Sequence, residues 1–122
     1  MKLYTYYRSQ ASFRVRIALN LKGIAREDSF LHLEKGDQFA DAYRAINPQM
    51  MVPTLIEGDV KLSQSLAILE YLEETYPEPP LLPADPQARV WVRARIDQRG
   101  RLAPADRAAY STLPHGRAEG QR

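Results

Sequence analysis

The order of three patterns in the first 33 residues constrains the fold of this chain more than any other feature. Residues 2–7 (KLYTYY) are aromatic and β-favouring, residues 12–22 carry apolar side chains at helical spacing, and residues 26–33 alternate weakly between apolar and polar types. These patterns predict a strand, a helix and a second strand at the edge of a sheet. Because parallel neighbours need a crossover connection such as a helix, the segment predicts a parallel βαβ unit.

The predicted first helix has boundary signals at both ends. Phe13, Ile17 and Leu21 stand four residues apart and predict an apolar stripe along the helix, which Val15, Ala18 and Leu19 widen. We predict that Ser12 caps the N-terminus, because a serine oxygen can accept a hydrogen bond from a free backbone N–H there. Gly23 is expected to end the helix, since glycine readily adopts the left-handed conformation that follows many helices.

The next segments predict a second helix, a hairpin and a third helix. Residues 37–46 have a helical pattern that stops before a proline, and residues 52–62 (VPTLIEGDVKL) predict a hairpin around a Glu-Gly-Asp turn. Residues 64–76 predict a helix whose apolar face holds Leu66, Leu69 and Leu72, with Ile68 nearby. The resulting order, β-α-β-α-β-β-α, predicts an α/β thioredoxin-like domain with a mixed four-stranded sheet.

The chain divides near residue 83, and its composition changes near residue 89. Prolines follow the third helix at residues 77–86, a short helical pattern occupies residues 88–96, and an arginine- and alanine-rich segment comes last. We predict a domain at residues 1–82 and, at residues 83–122, a proline-rich linker with a disordered or aberrant tail, since few apolar residues remain to form a core. A basic arm for nucleic acid is the alternative, but Tyr110 is the tail's one aromatic residue, so no nucleic-acid partner is predicted.

Composition also excludes several classes of protein. The chain has no cysteine, which rules out disulfides, cysteine-based zinc sites and redox chemistry of a protein thiol. Neither a signal-peptide pattern nor an apolar run of about 20 residues is present, so we predict a cytoplasmic protein with no membrane segment. His32 and His115 have no second ligand at metal spacing, so no metal site is predicted.

Four motifs in sequence order resemble those of one enzyme family. They are MKLYTYYRS at the N-terminus, RSQASFRVRIALNLKG at residues 8–23, INPQMMVPTL at residues 46–55 and QSLAILEYLEETYPEPPLLP at residues 64–83. In this combination they resemble zeta-class glutathione transferases, the family that includes maleylacetoacetate and maleylpyruvate isomerases. The family's serine-rich motif reads Ser-Ser-Cys-Ser or similar, whereas this chain has Ser9-Gln10-Ala11-Ser12, so the middle pair differs.

The resemblance implies a glutathione-dependent cis–trans isomerase of aromatic catabolism, with glutathione as cofactor. The thiolate of glutathione would add reversibly to an unsaturated dicarboxylic keto acid, maleylacetoacetate or maleylpyruvate, and the resulting single bond could rotate. Because glutathione supplies the thiol, this reaction needs no cysteine in the protein. The resemblance also implies a homodimer in full-length relatives, with neither a nucleic-acid nor a membrane partner.

The resemblance places the catalytic hydroxyl at Ser9. A serine just before a helix can donate a hydrogen bond to the glutathione sulfur, while the helix N-terminus adds positive potential, and both favour a thiolate. The alternative is that Ser9 only caps or bends the turn. Ser12 belongs to the same catalytic and glutathione-binding motif, although capping is its simpler role. Gln10 and Ala11 correspond to glutathione-site positions that act through backbone N–H groups, and Arg14 is either the motif's basic member or a solvated helix-surface arginine.

A second group of glutathione-site residues lies farther along the chain. The resemblance implies that Val52 precedes a cis Pro53 and offers its main-chain N–H and C=O to the cysteinyl part of glutathione, as an added strand would. Gln64 and Ser65 open the third helix, where free N–H groups suit the γ-glutamyl carboxylate. A plain N-cap serine is the alternative for Ser65. Gln38 corresponds to a glutamine that contacts the glycyl end.

Three functions stay open at this point. The glutathione-dependent isomerase is favoured, a general glutathione transferase would have nearly the same site, and an adaptor without glutathione chemistry could use the same fold. Full-length relatives continue into an all-helical domain, in place of which this chain has only the helical pattern at residues 88–96. We therefore expect a truncation or shifted reading frame near residue 94, weak or no isomerase activity, and exposed apolar surface on the first and third helices.

Overall fold

The computed structural model describes the backbone of residues 1–101 and the side chains of residues 1–95. The chain divides into a first unit, Met1–Leu81, and a second unit that begins at Leu82. The tail predicted for the end of the chain lies outside the described residues from residue 102 onward.

The strands of the first unit form one mixed sheet in the order β2-β1-β3-β4. β1 (Lys2–Thr5) and β2 (Glu27–Phe30) are parallel, whereas β3 (Thr54–Glu57) is antiparallel to both β1 and β4 (Val60–Ser63). This arrangement confirms the predicted thioredoxin-like fold, with β2 at the edge of the sheet. The two-residue turn between β3 and β4 includes Gly58 at a φ of +57°, a conformation that favours glycine.

The first helix, α1 (Gln10–Leu21), begins three residues earlier than a cap at Ser12 would allow. Ser9 is the N-cap, and its Oγ accepts a hydrogen bond from the N–H of Ser12 at 3.1 Å. The prediction that Ser12 caps the helix is therefore wrong, because Ser12 supplies the N–H that the cap satisfies. The predicted stop at Gly23 is confirmed, since this residue follows the helix with a φ of +65°.

The buried face of α1 is only one side of the wide apolar stripe that the sequence predicted. Val15, Ala18 and Leu19 are buried against the sheet, whereas the fourfold-spaced residues are exposed by 56% (Phe13), 41% (Ile17) and 60% (Leu21). The prediction was wrong for these three residues and right for the buried three, because apolar residues lie on both faces of this helix and spacing alone cannot say which face meets the sheet. One buried cluster of the first unit consists of Leu3, Val15, Ala18, Leu19, Leu55, Ile68 and Leu72, and a second of Tyr6, Tyr43 and Val52.

In the third predicted helix, α3 (Ser65–Thr75), one residue of the predicted apolar face lies outside the core. Ile68 and Leu72 are fully buried, but Leu66 is exposed and so is not part of the core face. Apolar side chains are thus exposed on both α1 and α3 within the described residues, as the sequence led us to expect.

The segment between β2 and β3 is less regular than predicted. Instead of one helix over residues 37–46, it contains 3₁₀ helices at Leu33–Lys35 and Asp37–Phe39 and a four-residue helix, α2 (Asp41–Arg44). Ala40 separates the last two, because its extended conformation (φ −60°, ψ 140°) breaks the helical hydrogen-bond ladder.

A buried ion pair fixes the chain that follows α3. Lys22, whose side chain is fully buried, lies 3.4 Å from the carboxylate of Glu73 and donates to the carbonyls of Tyr76 and Pro79 at 2.6 and 3.0 Å. Glu73 in turn accepts a hydrogen bond from the N–H of Leu81 at 2.9 Å. These contacts hold the residues after α3 against the C-terminal end of α1.

The second unit contains a helix, α4 (Pro86–Arg101), within its described part. This helix extends beyond the predicted residues 88–96 at both ends. Asp85 begins the helix by accepting the N–H of Ala88 at 2.8 Å, and Pro86 occupies the first turn, where proline needs no hydrogen-bond donor. None of the described helices is long and apolar enough to cross a membrane.

Candidate functional site

Two adjoining clefts in the first unit lie where α1 and α3 begin and where the chain enters β3. The larger has a volume of about 430 Å³, within the range typical of small-molecule sites, and the smaller one of about 60 Å³. They share Ala11, Met51 and Val52 as lining residues. Seven of the ten predicted site residues line these clefts, namely Ser9, Ala11, Gln38, Val52, Pro53, Gln64 and Ser65.

Ser9 lies half-buried in the wall of the larger cleft, at the N-terminus of α1. Its Oγ accepts the Ser12 N–H, which uses a lone pair of the hydroxyl and leaves its proton available. Capping and donation to a ligand are therefore compatible roles. The free N–H groups of the first turn of α1 add positive potential at the same point.

Three predicted residues of this segment, Gln10, Ser12 and Arg14, do not line the clefts, whereas Ala11 lines both. Gln10 is exposed at the start of α1, and Ser12 is fully buried with no hydrogen-bond partner for its Oγ among the described residues. Arg14 is half-buried, and its Nη1 donates to the Oγ of Ser65 at 3.3 Å. Arg14 thus connects α1 to the start of α3. The alternative considered for Arg14, a solvated arginine on the helix surface, is wrong.

Val52 belongs to the wall that the two clefts share. The Val52–Pro53 peptide bond is cis, as the resemblance implied, and both residues are buried. The preceding carbonyl, that of Met51, accepts hydrogen bonds from Tyr43 and Asn47. By contrast, neither the N–H nor the C=O of Val52 has a partner among the described residues. These two groups are the ones that an extended peptide could pair with.

The start of α3 closes the smaller cleft on the opposite side. Gln64 is the N-cap, but its side chain makes no capping bond and instead donates to the Oε1 of Gln49 at 2.8 Å. The first N–H groups of α3 therefore lack a side-chain cap. Ser65 is the first helical residue, 8% exposed, and is not itself the N-cap. Gln64 has a φ of +70°, which is rare for a residue with a side chain.

Gln38 reaches the larger cleft from the 3₁₀ helix Asp37–Phe39. Its Oε1 is buried and has no hydrogen-bond partner among the described residues. An unpaired buried oxygen is unfavourable unless a ligand or water supplies a donor, so the Gln38 side chain has an acceptor to satisfy beside this cleft.

Sequence reasoning missed several residues that line the clefts. Arg8, Tyr6 and Leu33 belong to the wall of the larger one, and Asn47 and Gln49 to the smaller one. Arg8 could have been found, since it directly precedes Ser9 and follows β1, whose carboxyl end points toward the site. The others depend on the path of the chain around α2, which local patterns did not specify.

Arg8 is the only charged residue that lines either cleft in the described part of the chain. Its Nη1 donates to the Oε1 of Glu34 at 2.6 Å, and its guanidinium lies 5.7 Å from the ring centre of Tyr7. The hydrogen bond with Glu34 raises the pKa of Arg8, so this group stays cationic. Burial raises the pKa of the Tyr6 hydroxyl and the charge of Glu34 raises it further, so Tyr6 is a neutral wall residue.

No group of acidic and histidine residues suited to a metal occurs among the described side chains. The donors that the clefts do offer are hydroxyl, amide and guanidinium groups. Such a set suits an organic ligand with amide and carboxylate groups.

Comparison with known proteins gives consistent matches over the first unit. The profile of the family described as "Glutathione S-transferase, N-terminal domain" matches residues 3–80. The maleylpyruvate isomerase of a Ralstonia species is 54% identical over 94 residues, which cover 77% of this chain and 44% of that protein. The maleylacetoacetate isomerase of Rattus norvegicus is 54% identical over 97 residues, covering 78% of this chain and 45% of that protein.

Solved structures of isomerases from the same family are also similar to this chain. The maleylacetoacetate isomerase from Methylobacterium extorquens AM1, crystallised with bound malonate and glutathione, superposes with a TM-score of 0.77 at 48% identity. That match covers 93% of this chain and 57% of the other. A holo structure of maleylpyruvate isomerase, a zeta-class bacterial protein, has a TM-score of 0.75 at 54% identity and is covered to 44%. The chain thus spans less than half the length of the curated relatives it matches.

Proposed function

Because this chain belongs to the glutathione S-transferase family through its N-terminal domain, we propose that it carries the glutathione-binding part of a cis–trans isomerase. The substrate class is an unsaturated dicarboxylic keto acid of the maleylacetoacetate or maleylpyruvate type. The resemblance to these isomerases also supports a cytoplasmic protein and a homodimer in the full-length relatives.

The observation that carries this proposal is the grouping of unpaired polar atoms around the two clefts. Val52, Gln38 and the start of α3 are lining residues of these clefts. In the described part of the chain, the main chain of Val52 and the buried Oε1 of Gln38 have no hydrogen-bond partner, and the start of α3 has no side-chain cap. Glutathione has the matching groups: an extended cysteinyl amide for Val52, a γ-glutamyl carboxylate for α3 and a glycyl N–H for Gln38. The residues present therefore fit this tripeptide.

Bound glutathione supplies a thiolate that can add reversibly to the substrate's double bond. The chain's own contribution begins at Ser9, whose unshared hydroxyl proton can be donated to the sulfur. The positive end of α1 lies at the same point and further favours the anionic sulfur. Ser65 and the first N–H groups of α3 hold the γ-glutamyl carboxylate, and the Val52 main chain orients the cysteinyl residue.

Arg8 supplies the charge that an acidic substrate needs. It lies on the wall of the same cleft as Ser9 and stays cationic at any pH at which the protein is folded. A carboxylate of the substrate can bind the planar guanidinium through two parallel hydrogen bonds. This contact would place the substrate next to the sulfur-binding hydroxyl.

A general glutathione transferase is the second candidate, and one observation favours it. A dicarboxylate calls for two cationic contacts, but Arg8 is the only charged lining residue among those described. The glutathione half of the site would serve both reactions equally, so the choice depends on turnover of an acidic substrate.

The proposal is tested by titrating the 122-residue chain with glutathione, using calorimetry or NMR. We expect saturable binding that Ser65→Ala weakens about tenfold or more, because one hydrogen bond to a charged group is lost. Ser29→Ala, in β2 and away from the clefts, is the matched control and should leave the affinity unchanged. An absence of saturable binding, or equal affinity in Ser65→Ala, would refute the assignment.

Catalysis is then measured on a cis-dienone acid, with and without glutathione. Isomerisation that requires glutathione and falls in Ser9→Ala supports the isomerase. Conjugation of a neutral electrophile without isomerisation of the acid would favour the general transferase.

A further inference from the structure

Arg8 already has a counter-ion at the rim of the larger cleft. Glu34 accepts a hydrogen bond from its Nη1 at 2.6 Å, and the two side chains are 64% and 60% exposed. Because both groups reach solvent, the pair can separate without leaving a buried charge. Arg8 is therefore available to an anionic ligand, but Glu34 already holds it in the free protein.

The fold places this pair, which spans 26 residues of sequence. Arg8 follows β1, and Glu34 belongs to the 3₁₀ helix that follows β2. Since β1 and β2 are parallel neighbours, their carboxyl ends lie at the same edge of the sheet, beside the cleft. The contact thus results from the sheet as well as from two long side chains.

We infer that Glu34 sets the affinity of this cleft for acids by competing with them for Arg8. This inference rests on the proposed function, which supplies the acidic substrate class. An incoming carboxylate must displace Glu34 or share the guanidinium with it, and in either arrangement two anions lie close to one cation. Glu34 acts through Arg8 and lowers the affinity for every anion that uses this contact.

Geometry favours a ligand carboxylate over Glu34 when the ligand binds Arg8 with both of its oxygens. Glu34 contacts a single nitrogen, Nη1, whereas a guanidinium has five N–H donors in a planar fork. A ligand that binds with both carboxylate oxygens gains two parallel hydrogen bonds and can replace this single contact. A ligand that offers one oxygen gains no such advantage. Glu34 is therefore a specificity-determining residue for carboxylates over weaker acceptors.

The experiment is a malonate titration of the 122-residue chain, followed by amide chemical shifts at constant ionic strength. We expect Glu34→Gln to lower the Kd for malonate about two- to fivefold, which corresponds to the modest strength of an exposed ion pair. Arg8→Met should raise the Kd strongly, and adding Glu34→Gln to Arg8→Met should then produce no gain. Only an effect transmitted through Arg8 gives this pattern.

Glu27→Gln is the matched control, because it removes the same charge from an exposed ion pair with Lys2 that is not part of either cleft. Its Kd for malonate should equal that of the unmodified chain. An unchanged or raised Kd in Glu34→Gln, a gain that persists without Arg8, or no malonate binding at all would overturn the inference.

A parallel glutathione titration separates this inference from the proposed function. Glutathione should bind the unmodified chain and Glu34→Gln equally, because none of its expected contacts, at Ser9, Gln38, Val52, Gln64 and Ser65, is with Arg8. Failure of glutathione binding with the expected malonate pattern would refute the proposed function and leave the role of Glu34 supported. Normal glutathione binding without the expected malonate pattern would support the proposed function and refute the role of Glu34.

Discussion

Replacing Lys22 with methionine is expected to lower the free energy of unfolding by about 3–5 kcal/mol, the usual effect of breaking a buried ion pair. Methionine keeps much of the apolar stem but has no ammonium group. The carboxylate of Glu73 would then be buried without its cation, and the carbonyls of Tyr76 and Pro79 would each lose a donor. Since domains of this size are stable by about 5–15 kcal/mol, the variant should be close to its limit of stability.

The assay is equilibrium unfolding in urea, followed by circular dichroism. Lys61→Met is the matched control, because Lys61 is exposed on β4, and its stability should change by less than about 0.5 kcal/mol. The double variant Lys22→Met/Glu73→Gln should be more stable than Lys22→Met, since it no longer buries an unpaired charge. A loss below about 1 kcal/mol for Lys22→Met, or no recovery in the double variant, would refute the reasoning.

Three further predictions concern the site and its surroundings. Ser9→Ala should lower the free energy of unfolding by about 1 kcal/mol, because α1 loses its cap, and Ser9→Gly should lower it by only a few tenths; urea unfolding of both checks this. Gln64→Gly should raise the unfolding free energy by about 1 kcal/mol, since it relieves the positive φ, while weakening glutathione binding in a titration; equal or lower stability would contradict it. Hydrogen bonds from Tyr76 and then Tyr71 lower the pKa of Glu57, so its stabilisation is complete above the ordinary glutamate pKa of 4.5 and is lost as the pH falls through the lower folded value. The melting temperature of Glu57→Gln should accordingly depend less on pH than that of the unmodified chain in this acidic range.

The sheet topology followed from local patterns that leave little freedom. The aromatic run at residues 2–7, the helical spacing after it and the glycine turn at Gly58 each specify one element, and the order of the elements restricts how they can pair. The cis bond before Pro53 was implied by family resemblance, since no local pattern distinguishes it from a trans bond.

The errors arose where the sequence pattern was compatible with two local solutions. Ser9 and Ser12 are the same residue type three positions apart, and the preference of one cap over the other depends on how the turn leaves β1. Phe13 and Val15 mark opposite faces of α1, and only packing against the sheet decides between them. The pairing of Arg8 with Glu34 depends on β1 and β2 lying side by side, so no local window of sequence could show it.

The unpaired peptide groups at Val52 have a consequence for how this site tolerates mutation. Every amino acid has a carbonyl, and all except proline have an N–H, so exchange of the valine for another residue of similar size leaves both groups in place. Substitution at this position can change the shape of the cleft wall, but the two main-chain groups that could pair with a peptide remain. Surveys that score only side-chain identity would overlook this part of the site in distant relatives.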